Sequence, residues 1–137
     1  CPYISGKLKS LRLEQAEAIQ PNLPEEQKPF GLDFCNILKN VQPVEVDLEV
    51  RDGDVFNWCG GSTIIGTAGH TPGHISIYVN QKDVMITGDA AALENGELVI
   101  ANPQYAVDIK EAQASLHKIM EYGAKEIICY HGGVFIP

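Results

Sequence analysis

Gly69-His70-Thr71-Pro72-Gly73-His74, then the apolar run Val84-Met85-Ile86 and Thr87-Gly88-Asp89, is the stretch on which the fold of this chain is read. His70 sits in a Gly/Pro loop between the apolar runs Ser62–Thr67 and Ile75–Val79, and Asp89 follows the run Val84–Thr87. A third candidate ligand, His131, follows Ile127-Ile128-Cys129-Tyr130 and precedes Gly132-Gly133. Each therefore stands where a predicted strand gives way to a loop. Strand ends on one sheet edge converge in space across long sequence gaps, here 89 − 70 = 19 and 131 − 89 = 42 residues.

The rest of the chain frames this stretch as an α/β domain. Pro2 to Gln20 has apolar residues at helical spacing, and Pro21, Pro24 and Pro29 make 20–31 a Pro-rich loop. Asp33 is expected to cap a short helix through Leu38. Val44 to Val50 alternates strictly with Glu45, Asp47 and Glu49, the pattern of a strand with one wet face. Asp52-Gly53 signals a tight turn. Beyond Asp89 a loop through Asn95-Gly96 and a short strand at Leu98–Ala101 are expected. Asp108 to Tyr122 reads as a helix: Asp108 and Glu111 resemble a capping box, and Gly123 stops it. Its expected buried stripe is Ile109, Ala112, Leu116, Ile119 and Met120. Glu126 to Tyr130 is the last predicted strand.

Length and composition fit one domain over 1–137, with 45% hydrophobic and 20% charged residues. A net charge of −8 argues against nucleic acid and against anionic membrane surfaces. No apolar run approaches the roughly 18 residues of a membrane-spanning helix. Four scattered cysteines without a Cys-x-x-Cys pair suit reduced thiols and a cytoplasmic protein. Cys59 and Cys129 are read as small core residues, and His117 as a solvated helix-surface residue. The chain starts at Cys1, so it is expected to be an engineered piece, a processed product or a fragment.

Taken together, Gly69 to His74, Thr87 to Asp89 and Tyr130-His131-Gly132-Gly133 resemble the C-terminal metal motifs of metallo-β-lactamase-fold hydrolases, a resemblance running from about Val46 to Gly133. The family's upstream His-x-His-x-Asp-His motif has no counterpart: the chain has four histidines, and none precedes His70. The resemblance implies the later half of an αββα sandwich, a mixed sheet with outer helices. It implies His70 as a ligand of a first metal, Asp89 as a bridging and catalytic carboxylate, and His131 as a ligand of a second. His74 would support the loop from outside the coordination shell, and Tyr105 would border the substrate pocket. Zinc is the expected metal, with iron or manganese also suited to His and Asp.

The activity implied is hydrolysis of a small ester, lactone, thioester or amide by hydroxide generated at the metal. The alternatives are an iron-loaded oxidoreductase of the same fold and a non-catalytic binding or assembly module. With one sheet missing its partner, the chain is expected to form a homodimer or to associate with the missing N-terminal half. With donors too few for two sites, it is expected to bind metal weakly and to be weakly active or inactive alone.

Overall fold

The computed structural model describes residues 2–137, which group into two compact units, one ending at Glu49 and the other running from Val50 to Pro137. The first unit holds two helices, α1 (Leu11–Ile19) and α2 (Lys28–Lys39). Helix α1 is shorter than the predicted 2–20 because Gly6 takes a left-handed turn at φ +72°. Ser10 then starts the helix by accepting the Leu13 N–H on its hydroxyl at 3.4 Å. The predicted loop 20–31 is instead two short 3₁₀ turns, Gln20–Asn22 and Glu25–Gln27, leading directly into α2. Pro29 lies in the first turn of α2, where its missing N–H costs nothing. Asp33 is thus inside the helix rather than at its cap. The alternating segment 44–50 forms no strand, and Val44 and Leu48 are exposed. Alternation marks a surface fit for pairing, but a strand needs a partner ladder, and none pairs with this segment among the described residues.

The second unit is a seven-stranded mixed sheet. Its strands are β1 (Val55–Phe56), β2 (Ser62–Gly66), β3 (Ile75–Val79), β4 (Val84–Glu94), β5 (Glu97–Val99), β6 (Glu126–His131) and β7 (Gly133–Phe135). The order is β1-β2-β3-β4-β6-β7, with β5 pairing β4. All described pairs are antiparallel except β4–β6, which is parallel and connected through helix α3 (Ile109–Tyr122). Asp108 caps α3 by accepting the N–H groups of Lys110 and Glu111 at 2.9 and 3.0 Å. Gly123 closes it in the left-handed conformation.

Strand register divides the sheet into two faces. Tyr78, Met85, Ile127 and Phe135 lie in one cross-strand row and, with Ile65, pack with Leu116 and Ile119 of α3. The neighbouring row is Ile64, Ile77, Ile86, Ile128 and Val134, which alternation turns to the opposite face. Met85 is fully buried, whereas Ile86 and Val134 remain 43% and 48% exposed. Within α3, Ala112, Ser115 and Ile119 are buried, while Ile109 and Met120, expected in the stripe, are exposed. No helix among the described residues is long and apolar enough to cross a membrane.

Two strands differ usefully from the reading of the sequence. Strand β4 does not stop at Asp89 but runs to Glu94 and turns at Asn95-Gly96 into β5. Strand β6 includes His131, and a tight turn at Gly132 sends the chain back as β7. Both candidate ligands therefore belong to the sheet.

Candidate metal centre

Register brings the motif residues to one edge. Ile77 pairs with Ile86, so the N-terminal end of β3, and the 67–74 loop before it, lie level with β4 beyond Ile86. The parallel neighbour β6 ends on the same side, with His131 opposite Ala92. Asp89 lies between them, where the β4–β6 ladder shifts register at Gly88 and again before Ala92. Gly88 supports this irregularity with φ +55°.

The His70 loop is fixed from below. Asp108 and Val107 donate their N–H groups to the carbonyls of Gly69 and His70, at 3.0 and 3.3 Å. The Ser115 hydroxyl donates to the Ala68 carbonyl at 2.6 Å. Gly69, at φ +129°, lies so close to α3 that a β-carbon there would stand 2.2 Å from the Ala112 nitrogen. On the other side, a β-carbon on Gly132 would stand 2.1 Å from the Leu93 carbonyl oxygen, so glycine also lets the His131 turn close against β4.

Two imidazoles converge on Asp89. His70 Nε2 lies 3.7 Å from Oδ2, and His131 Nε2 lies 3.3 Å from Oδ1. The second approach is close but not aligned as a hydrogen bond, so Asp89 Oδ1 is buried without a hydrogen-bond partner, as is His70 Nδ1. A buried polar atom left unpaired costs about 1–3 kcal/mol. Two such atoms around a carboxylate flanked by imidazoles fit a centre that takes a cation. The imidazoles approach opposite oxygens, and no set of three or more His, Cys, Asp or Glu side chains among the described residues forms a ready-made coordination shell.

His74 stands beside this trio. Its Nε2 lies 3.2 Å from the Asp89 backbone nitrogen and its Nδ1 3.0 Å from the Thr67 hydroxyl. Burial, and secondarily the neighbouring His70, holds its pKa below the usual histidine value. Tyr105 belongs to the 3₁₀ turn Pro103–Tyr105, two residues before the Val107 that binds the His70 carbonyl. His117 is exposed and paired with Glu121 at 3.0 Å. Cys129 is buried, and burial raises its thiol pKa, which disfavours the thiolate needed by a ligand or nucleophile. Cys59, expected in the core, is exposed on a left-handed turn at φ +51°.

Sequence reading missed the polar layer under the site. Thr67, Ser76 and Thr87 are fully buried and linked to one another. Their signal was weak: single small hydroxyl residues within apolar strand runs, easily read as a solvent-facing alternation.

The model of the metallo-beta-lactamase superfamily matches residues 11–131. A protein described as a probable metallo-hydrolase from Methanocaldococcus jannaschii is 42% identical over 71 residues, 52% of this chain and 34% of that protein. A hydroxyacylglutathione hydrolase from Chelativorans sp. is 29% identical over 120 residues, 85% of this chain and 44% of the relative. The chain thus spans less than half the length of these curated relatives. Its fold matches the crystal structure of a metallo-beta-lactamase family protein from Thermus thermophilus, at a TM-score of 0.63 and 21% identity, over 98% of this chain and 44% of that one. With a family match across both compact units and a mixed α/β sheet of the same fold, the chain belongs to the metallo-beta-lactamase superfamily.

Proposed function

We propose that this chain carries part of the centre of a metal-dependent hydrolase acting on a small ester, lactone, thioester or amide. The observation that supports it most is the convergence of His70 and His131 on the two oxygens of Asp89, with two polar atoms there unpaired. His70, Asp89 and His131 are the donors that would hold the metal, zinc being the first candidate. A bound divalent ion would lower the pKa of water and stabilise a developing oxyanion. The chain's own contribution is to hold one carboxylate and two imidazoles at a sheet edge. A net charge of −8 disfavours polyanionic substrates. Tyr105 is proposed to border the substrate, because its turn adjoins the segment clamped to His70.

Three donors are fewer than two complete zinc sites require, since a catalytic zinc ordinarily has about three protein ligands of its own. The chain alone is therefore expected to take up zinc weakly, in a calorimetric titration, and to lose that uptake when His70, Asp89 and His131 are all replaced by alanine. Equal binding by the triple variant would overturn the site. Fast, chelator-sensitive hydrolysis by this chain alone would overturn the shortage of donors. Native iron with oxygen consumption would point instead to an oxidoreductase.

The exposed Ile86 and Val134 of the second row support a partner proposal as well. Further polypeptide, either a second copy of this chain or an upstream half, would cover it, because soluble monomers rarely expose large apolar patches. Light scattering after size-exclusion chromatography should detect self-association of the isolated chain. A stable monomer across concentrations would count against the second copy.

A further inference from the structure

We propose that His74 is a positioning residue that fixes the backbone of Asp89 as a neutral imidazole carrying its proton on Nδ1, an inference that rests on the reading of Asp89 as a metal ligand. Asp89 falls in the stretch where the β4–β6 ladder loses regular register. Its N–H instead meets His74 Nε2 at 3.2 Å. A backbone N–H can only donate, so Nε2 must present its lone pair, and the neutral ring keeps its proton on Nδ1. That proton donates to Thr67 Oγ1 at 3.0 Å. The Thr67 hydroxyl then donates to Ser76 Oγ at 2.9 Å, and the Ser76 hydroxyl to the Thr87 carbonyl at 3.4 Å. The Thr87 hydroxyl closes onto the Ile128 carbonyl of β6 at 3.3 Å.

The sense of the links from Asp89 to the Thr87 carbonyl follows from their two ends, a backbone donor and a backbone acceptor. All three hydroxyl residues are fully buried, so water does not compete for these bonds. Gly88 eases the approach, because a β-carbon at that position would stand 3.1 Å from His74 Nε2, tighter than an ordinary contact. Two consequences follow. The Nε2 lone pair is occupied, so His74 is not itself a ligand. And the strand segment bearing the Asp89 carboxylate is tied through the ring to Thr67 and to Ser76 of β3, which aims it between His70 and His131.

Nitrogen-15 spectroscopy of the whole chain tests this directly. The His74 ring should show the pattern of a neutral, Nδ1-protonated imidazole both before and after zinc is added. An Nε2-protonated ring, or an Nε2 signal that moves on zinc binding, would overturn it. His74→Phe keeps a ring but no acceptor. It should weaken zinc binding by about 10–100-fold and abolish hydrogen-exchange protection of the Asp89 amide. His74→Gln, whose amide oxygen can accept the same N–H, should restore both toward the original values. If His74→Gln loses as much as His74→Phe, or neither variant changes either readout, positioning is overturned while zinc binding by the parent chain still upholds the metal site. If the parent chain takes up no zinc, the metal reading fails. Amide protection lost in His74→Phe and kept in His74→Gln then supports the backbone role, and unchanged protection overturns it.

Discussion

Asp89→Asn is expected to reduce zinc affinity by more than about 100-fold, beyond the range of changes to groups that only support ligands. The substitution preserves shape and removes the one negative charge that both imidazoles face. Its effect on the zinc-free fold should be small, because Oδ1 has no hydrogen bond to lose. Thermal melting separates the two effects. In the parent chain, excess zinc should raise the midpoint in proportion to the logarithm of its concentration over Kd. In Asp89→Asn the midpoint without zinc should be close to the parent's, and the zinc-dependent rise should vanish. A zinc response equal to the parent's would remove Asp89 from the site.

Gly69→Ala should be among the most damaging single-methyl changes in the second unit. Gly69 has φ +129°, and a β-carbon there would approach the Ala112 nitrogen, α-carbon and β-carbon to 2.2, 2.4 and 2.7 Å. The obstacle is helix backbone, which cannot rotate aside as a long side chain can. Backbone strain alone costs about 1–3 kcal/mol, and displacing α3 from the loop adds to it. A loss of at least about 3 kcal/mol is expected in urea unfolding. Gly73→Ala is the control in the same loop, because a β-carbon there meets nothing within 4 Å. It should be nearly neutral. Comparable losses in both variants would mean the loop is sensitive throughout and that the α3 contact is not the cause.

Much of the fold could be read from residues whose local chemistry agrees with their environment. Ile75–Val79 is both the predicted and the observed strand, because it is apolar and bounded by a Gly/Pro loop and a turn. Asp108 and Gly123 bracket α3 as their capping chemistry requires. The errors come where a local pattern depends on a distant partner. Val44 to Val50 alternates as a strand should, yet finds no ladder. The stretch after Asp89 reads as a loop, yet β5 and β6 draw it into an eleven-residue strand. Strand β7 has three residues and opens with a glycine at φ +109°, leaving almost no periodic signal. The convergence of His70, Asp89 and His131 was legible because each follows or precedes an apolar run beside glycine. The hydroxyl layer of Thr67, Ser76 and Thr87 was hidden because burial of a small polar side chain depends on what α3 and the neighbouring strands place over it.

The parallel pairing of β4 with β6 gives the edge an unusual sensitivity to chain length. Asp89 and His131 are related through a ladder in which Val84 faces Glu126, just after the three-residue link Gly123–Lys125. Side chains alternate along a strand, so one residue inserted into that link could slide β6 by a single step and send the His131 imidazole to the wrong side. The chain would keep its helix, its strands and most of its buried surface, yet the two donors would no longer face each other.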